Sequence, residues 1–227
     1  MNQDFAHCLN KSNSSNMQEK KRENILQFSI VQKYIETMDE KAKMKFWIKT
    51  LLSSYNIFPQ IIKTIDKIIE LQASSLSFYS DVFNLSKTAY KEYEKVIDLT
   101  ERKDSLINIY IMTKKLLNDI TDIEYEILER KYIDGWCSEE IASEFGISRR
   151  TVFRKLDKIL EEIYHNCKQN KWTVRFIESQ TKGESWLKDK FNKLVLENFK
   201  NSNYKSVKKY ISDYSKSSSE LYVGNLG

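Results

Sequence analysis

Apolar residues recur three or four positions apart along most of the chain, which is the spacing of one face of an α-helix. The pattern begins near Ile25, stops at Asn56 and resumes after Pro59 as a stripe rich in isoleucine. Pro59 suits the first residue of the second helix, because a backbone N–H would have no partner there. The pattern therefore predicts two helices before the serine-rich residues 74–77.

A long amphipathic stretch follows Ser86, whose side chain is of a type that caps helices. Apolar residues keep the helical spacing from Tyr90 to Leu117, and neither glycine nor proline interrupts them. We predict either one helix of about 30 residues or two helices with a kink near residues 102–105. Its apolar face packs on the chain's own helices or, in a homodimer, on a second copy. The lack of a sustained heptad repeat favours the first arrangement.

Beyond Asp122 the predicted helices become short. The helix that Asp122 caps ends at Ile133, before an Asp-Gly turn. Its predicted buried residues are Ile123, Tyr125, Ile127 and Leu128. Ser138 is expected to cap the next helix, which ends at Phe145 and carries two glutamates in its first turn.

Gly146 separates that helix from a third one, since glycine accepts the positive φ that a sharp reversal needs. Ser148 is expected to cap the third helix, which continues to about His165. Ala142 supplies the small side chain that closely crossing helices need at their contact. Together these features predict a helix-turn-helix. The residues expected to form its core are Ile141, Ala142, Phe145, Gly146, Ile147, Val152 and Leu156.

The first turns of the third helix carry cations where helix stability alone would not place them. Arg149 and Arg150 stand at the positive end of the helix dipole, which disfavours positive charge. An anionic ligand accounts for them, and duplex DNA is the ligand that this motif usually binds. The predicted DNA-binding residues are Ser148, Arg149, Arg150, Thr151, Arg154, Lys155 and Lys158. The alternative is a helical hairpin that binds protein.

The segment LERKYIDGW, residues 128–136, together with SEEIASEFGISRRTVFRKL, residues 138–156, resembles region four of bacterial sigma factors. It is more similar still to the sigma-related regulators of Gram-positive phages and low-GC bacteria, the ArpU and RinA groups. The resemblance covers residues 123–163. It implies a module that binds a promoter element in the major groove and contacts RNA polymerase.

A complete sigma factor also carries a helical module with aromatic residues that melts the promoter. The aromatic residues ahead of residue 118 lie on apolar stripes and are interpreted as core: Phe46, Trp47, Tyr90 and Tyr93. A self-sufficient sigma factor is therefore not predicted. A sigma-like activator or repressor remains open, and so does a subunit that works only with RNA polymerase.

Composition supports a folded helical protein without catalytic chemistry. Hydrophobic residues make up 41% and charged residues 30%, and five glycines with one proline are few for a sheet-rich fold. Three cysteines and two histidines lack zinc spacing, and no phosphate-binding or nucleophile motif occurs. We therefore expect no enzymatic activity, no metal and no cofactor. The lack of a signal sequence or a long apolar stretch predicts a cytoplasmic protein with no membrane partner.

The net charge of +5 is concentrated near the C-terminus, where residues 168–216 carry twelve basic and five acidic side chains. Within this segment Trp172–Ile177 alternates and is predicted as a short strand or an extended link. An amphipathic helix rich in lysine follows Gly183. This basic tail either contacts a DNA backbone or docks on the body with its lysines in solvent.

We therefore predict an all-α protein in four parts. Residues 1–23 form a disordered leader, 24–118 a helical bundle or long helical hairpin, 119–166 the sigma-like helix-turn-helix domain, and 167–227 a basic, partly helical tail. The predicted function is sequence-specific binding of double-stranded DNA in transcription regulation. The alternatives are a sigma-like subunit of RNA polymerase and a helical scaffold for protein contacts.

Overall fold

A computed structural model describes residues 29, 31–77, 87–118 and 120–202, and every regular element within these ranges is helical. The all-α prediction is therefore confirmed. In chain order the helices are α1 (residues 31–37), α2 (Glu40–Leu52), α3 (Ile57–Ser77), α4 (Lys87–Lys115), α5 (Asp122–Leu128), a π-helical turn (Glu129–Ile133), α6 (Ser138–Glu144), α7 (Arg149–Gln169), α8 (Val174–Thr181) and α9 (Ser185–Ser202). The predicted leader, the capping role of Ser86 and the predicted tail beyond Ser202 lie outside the described residues.

The chain forms two compact units. One unit combines the described residues before Glu40 with those from Asn192 onward, and within it the rings of Tyr34 and Phe199 lie 4.7 Å apart between centroids. The other unit spans Glu40–Phe191 and contains α2 to α8 with the first turns of α9. The four-part division made from the sequence remains a prediction.

Helix α2 supplies much of the core of the Glu40–Phe191 unit. Trp47, Ile48 and Leu51 are almost completely buried, because α2 carries apolar residues on most of its circumference and contacts both α7 and α8. The Trp47 ring stacks on Phe191 with the centroids 4.5 Å apart. The interpretation of Phe46 and Trp47 as core residues is confirmed.

Helices α3 and α4 pack against each other. An ion pair of 2.6 Å joins Lys103 to Asp66, and the rings of Tyr55 and Tyr110 stack at 5.0 Å. Helix α4 runs without a break through residues 102–105, so the single-helix alternative is the correct one. The interpretation of Tyr90 and Tyr93 as core residues is wrong, because both side chains are exposed on α4.

The start of α3 differs slightly from the prediction. The helix begins at Ile57, whose N–H donates to the Ser54 carbonyl at 2.9 Å, so Pro59 is its third residue and not its first. Proline is tolerated there because the first backbone N–H groups of a helix lack intrahelical acceptors. Pro59 therefore lies in the first turn of α3 as predicted, although two residues later than expected.

The segment Trp172–Ile177 is not a strand or an extended link. Thr173 has an extended backbone and its side chain accepts a hydrogen bond from the Phe176 N–H at 3.1 Å, which starts α8 at Val174. The buried residues of α8 then recur at helical spacing: Val174, Ile177 and Thr181. A run of six residues was too short to distinguish a strand from a capped helix.

Within the described ranges, none of the helices has both the length and the apolar composition needed to cross a lipid bilayer.

Candidate nucleic-acid interface

Helices α6 and α7 are joined by a tight turn at Gly146. Gly146 has a φ of 61°, a conformation that strains any residue with a Cβ atom. The Ile147 N–H donates to the Ala142 carbonyl at 3.0 Å, and the Gly146 N–H donates to the Ser143 carbonyl at 3.4 Å. This pair of hydrogen bonds is a Schellman motif, which ends α6 and reverses the chain.

The cap of α6 is Cys137, one residue before the predicted Ser138. The Cys137 sulfur accepts a hydrogen bond from the Glu140 N–H at 3.4 Å, and the Glu140 carboxylate accepts one from the Cys137 N–H at 2.6 Å. These hydrogen bonds also lower the pKa of Glu140 below its ordinary value. The reciprocal arrangement requires a glutamate three residues after the cap, which selects Cys137 and leaves Ser138 buried in the first turn.

A small apolar cluster holds α5, α6 and α7 together. Ile127 of α5, Ile141 of α6, and Val152 and Leu156 of α7 are buried against one another. Half-buried residues surround them: Tyr132, Trp136, Ala142, Phe145 and Ile147. The structure thus brings the apolar residues expected in a helix-turn-helix core into one cluster. Ile123, which was predicted to be buried on α5, is 61% exposed.

Arg130 in the π-helical turn fixes α6 relative to α5. Its guanidinium pairs with Asp134 at 2.9 Å and with Glu144 at 3.4 Å, and it lies 4.9 Å from the centroid of the Trp136 ring. These contacts connect the end of α5 with the end of α6. This arginine is therefore engaged in structural contacts.

Ser148 caps α7 as predicted. Its side chain accepts a hydrogen bond from the Thr151 N–H at 3.1 Å, and the Ser148 and Thr151 hydroxyl oxygens lie 2.9 Å apart. Helix α7 is longer than expected and continues to Gln169. The cap fixes where α7 begins, and therefore where the arginines that follow it are displayed.

Arg149 is paired but not covered. Its Nη1 lies 2.8 Å from Oε1 of Glu139 on α6, and its guanidinium lies 5.4 Å from the centroid of the Phe153 ring. The side chains of Arg149 and Glu139 are nevertheless 62% and 57% exposed. Solvent screens a pair of this kind, so it is a weak constraint on the position of the guanidinium.

Arg150 and Arg154, the next two arginines along α7, are exposed. Neither has a carboxylate partner within the described ranges. They are four residues apart and so lie on one face of the helix. Lys155 is half-buried. Lys158 differs from them, since its ammonium pairs with Glu124 at 3.2 Å and with Glu162 at 3.1 Å.

Sequence analysis missed Phe153. Its side chain is 45% exposed between Arg149 and Arg154, while its neighbour Val152 is completely buried. No signal in the sequence indicates its exposure, because Phe153 stands three residues before Leu156 and seven before Leu160, which is the spacing of the buried stripe of α7: Val152, Leu156, Ile159, Leu160, Ile163 and Cys167. We call the exposed set Arg149, Arg150, Phe153 and Arg154 the α7 tip.

The second half of α7 is anchored to α2. The Glu161 carboxylate forms ion pairs with Lys41 and, at 2.6 Å, with Lys45, and these cations lower the pKa of Glu161 to about 2. Ile159 and Ile163 on the same half of α7 are completely buried. The α7 tip is therefore the exposed face of the first turns of a helix that is packed against α5 and α6 at its start and against α2 further along.

A cavity of about 370 Å³ is a weaker candidate site. Its lining residues come from the ends of α4 and α7 and the loop that follows: Lys115, Leu116, Asn118, Asn166, Cys167, Asn170 and Trp172. Burial raises the pKa of the Cys167 thiol to about 12, so the thiol stays protonated and is a poor nucleophile near neutral pH.

In the part of the chain that the structure describes, no three His, Cys, Asp or Glu residues are grouped so that they could hold a metal ion.

Comparisons of the chain with protein-family models, with curated proteins and with solved structures gave no match. The resemblance of residues 123–163 to sigma region four therefore stays a prediction from the sequence.

Proposed function

We propose that this protein binds double-stranded DNA sequence-specifically and regulates transcription, with α6 and α7 as the helix-turn-helix and α7 in the major groove. The observation that carries the proposal is the α7 tip. Three exposed arginines stand there at the positive end of a helix, and two of them have no carboxylate partner in the described ranges.

Two other arginines of the same unit are paired with carboxylates, whereas Arg175 in the first turn of α8 is exposed, as Arg150 is. Arg102 forms a bidentate pair with the buried Glu184, and Arg130 pairs with two carboxylates. A cation in the first turn of a helix costs about 0.3–1 kcal/mol through the helix dipole. Since no carboxylate within the described ranges offsets this cost at Arg150, a bound polyanion is the ligand that would, and the unpaired Arg154 one turn later adds to the same positive surface.

The dimensions of α7 suit the major groove. An α-helix with its side chains is about 10–12 Å wide, and the groove is about 12 Å wide. Only the N-terminal turns of α7 carry the exposed arginines, while the later turns are buried against α2. A helix that presents its N-terminal residues to base edges is the docking mode of helix-turn-helix proteins.

Within this proposal Arg149, Arg150 and Arg154 contact bases or adjacent phosphates. The hydroxyls of Ser148 and Thr151 and the ammonium of Lys155 contact the phosphate backbone. Lys158 is already paired with two carboxylates, so we expect its contribution to binding to be smaller. The site requires no cofactor, and such a regulator acts in the cytoplasm.

Replacement of Arg149 and Arg150 by alanine tests the proposal. Because a bidentate arginine–guanine contact contributes about 1–3 kcal/mol, the double variant should lose at least about 30-fold in affinity for a duplex selected from a random pool by the wild-type protein. The loss is measured by gel shift. Circular dichroism should show unchanged helicity, since both side chains are exposed.

The matched control is the double variant Lys63→Ala, Lys67→Ala. It removes the same formal charge from exposed positions on α3 and should reduce affinity only slightly. Equal binding by the wild type and the arginine variant would mean that α7 is not the DNA-contacting helix. Failure of the wild type to select any duplex, together with salt-insensitive binding to a protein, would favour the scaffold alternative.

A second candidate is a sigma-like subunit that acts with RNA polymerase, and the similarity of residues 128–156 to sigma region four supports it. Transcription with purified core polymerase distinguishes the two candidates. A sigma-like subunit initiates at a promoter that carries the selected sequence without any other sigma factor, whereas a regulator requires one. The predicted homodimer contact through the N-terminal helices is tested independently by analytical ultracentrifugation.

A further inference from the structure

Phe153 is an exposed aromatic ring in a cationic setting. It lies one helical turn after Arg149, whose guanidinium is 5.4 Å from the ring centroid, and next to the exposed Arg154. Isolated apolar side chains on a protein surface need no explanation. This one differs because it occupies the centre of the α7 tip, where the proposed ligand is a polyanion.

The exposure of Phe153 is not a consequence of core packing. The apolar stripe of α7 is complete without it, since Val152 and Leu156 fill the contact with α5 and α6. An aromatic ring here is therefore more easily explained by what the tip contacts than by what the fold needs.

The major groove offers one apolar group among its base edges, the C5-methyl group of thymine. A ring surrounded by arginines would reach that methyl group while the guanidinium groups contact guanines or phosphates. A protein partner would need an apolar side chain surrounded by carboxylates to match the same surface. The charge pattern of the tip favours DNA.

We propose that Phe153 is a specificity-determining residue that contacts the methyl group of a thymine, an inference that rests on the proposed DNA-binding function. Helix α7 advances about 6 Å between Arg149 and Phe153, and base pairs are spaced about 3.4 Å apart. The thymine therefore lies within about two base pairs of the base or phosphate that Arg149 contacts.

The test removes the methyl group alone. Each thymine of the duplex selected by the wild-type protein is replaced in turn by deoxyuridine, which keeps all base-pair hydrogen bonds. Burial of one methyl group corresponds to about a fourfold change in affinity. We expect wild-type protein to lose about fourfold at one thymine, and Phe153→Ala to bind the thymine and uracil duplexes equally.

The matched control is Ile123→Ala, which removes another exposed apolar side chain from the same unit and should retain the full thymine preference. If wild-type protein binds DNA but no thymine-to-uracil change matters, the inference is wrong and the proposed function stands. If Phe153→Ala weakens binding yet keeps the uracil penalty, the ring only positions Arg149 and the inference is also wrong. If the wild type selects no duplex, the proposed function itself fails.

Discussion

The ion pair between Arg149 and Glu139 leads to a prediction in which stability and DNA affinity change in opposite directions. In the free protein, Nη1 of Arg149 lies 2.8 Å from the Glu139 carboxylate. If α7 enters the major groove as proposed, this carboxylate either gives up the guanidinium or is carried toward the phosphates. Glu139→Gln should therefore tighten DNA binding, although it removes a favourable contact from the folded protein.

The size of the expected stability change follows from the solvent exposure of the Arg149 and Glu139 side chains. Both side chains are more than half exposed, so the pair contributes about 0.2–1 kcal/mol to stability. Glu139 also lies in the first turn of α6, where a negative charge adds a few tenths of a kcal/mol through the helix dipole. We expect a decrease of about 1 kcal/mol or less in the free energy of unfolding, which lowers Tm by about 2–4 °C.

The gain in affinity should match the cost of breaking the pair. Release of about 0.2–1 kcal/mol corresponds to between about 1.4- and 5-fold tighter binding. The assay is fluorescence anisotropy with the selected duplex, at about 0.1 M and about 0.5 M salt. Because salt screens exposed charges, the difference between variant and wild type should narrow at the higher concentration.

Glu126→Gln on α5 is the matched control, because it removes an equal charge from an exposed position without touching Arg149. If the two variants behave alike, the effect of Glu139 is one of net charge only. If Glu139→Gln weakens binding, then Glu139 holds Arg149 in the orientation that binding requires. That result would refute the competition between carboxylate and DNA.

Three further predictions concern folding. Ile141→Ala should lower the free energy of unfolding in urea by about 2–5 kcal/mol, because it leaves a cavity in the α5–α6–α7 cluster, whereas Ile123→Ala on the exposed face of α5 should change it by less than about 0.5 kcal/mol. Gly146→Ala should lower the free energy of unfolding by about 1–2 kcal/mol, because a residue with a Cβ atom is strained at a φ of 61° even though that Cβ would meet nothing within 4 Å. An unchanged urea midpoint would show that the turn relaxes. Because the pKa of Glu161 is lowered, its ion pairs stabilise the fold fully above about pH 4.5 and are lost as pH falls toward 2. Glu161→Gln should therefore make the free energy of unfolding depend less on pH over that window. An equal slope in both proteins would contradict the Lys41 and Lys45 contacts.

The start or end of a helix was predictable where a single local signal, such as a capping residue or a glycine at a positive φ, determined it. Ser148 before a periodic apolar stripe located the start of α7, and the Gly146 reversal followed from the need for a positive φ. The prediction of the cap of α6 failed because two neighbouring residues can both accept a capping hydrogen bond. The serine at position 138 suited a cap, but the reciprocal hydrogen bonds of Glu140 select Cys137.

Long-range contacts could not be inferred from periodicity. Nothing in the sequence pattern pairs Glu161 with Lys41, or brings Arg149 to Glu139 across the turn. Exposure was also hard to predict, because an apolar stripe does not show which of its members finds a partner: Ile123 stays in solvent and Ile127 is buried. For the candidate site, sequence identified the arginines, whereas only the structure shows which of them are paired.

The anchoring of α7 has a practical consequence for anyone who wishes to isolate the candidate DNA-binding segment. A fragment of residues 119–166 would cut α7 three residues before its end and would remove α2, which packs on α7 and pairs Lys41 and Lys45 with Glu161. The surface of α7 that α2 covers would then face water, and we expect the fragment to aggregate or to lose the second half of its longest helix. Work on DNA binding by this protein therefore requires α2 and α7 in the same polypeptide.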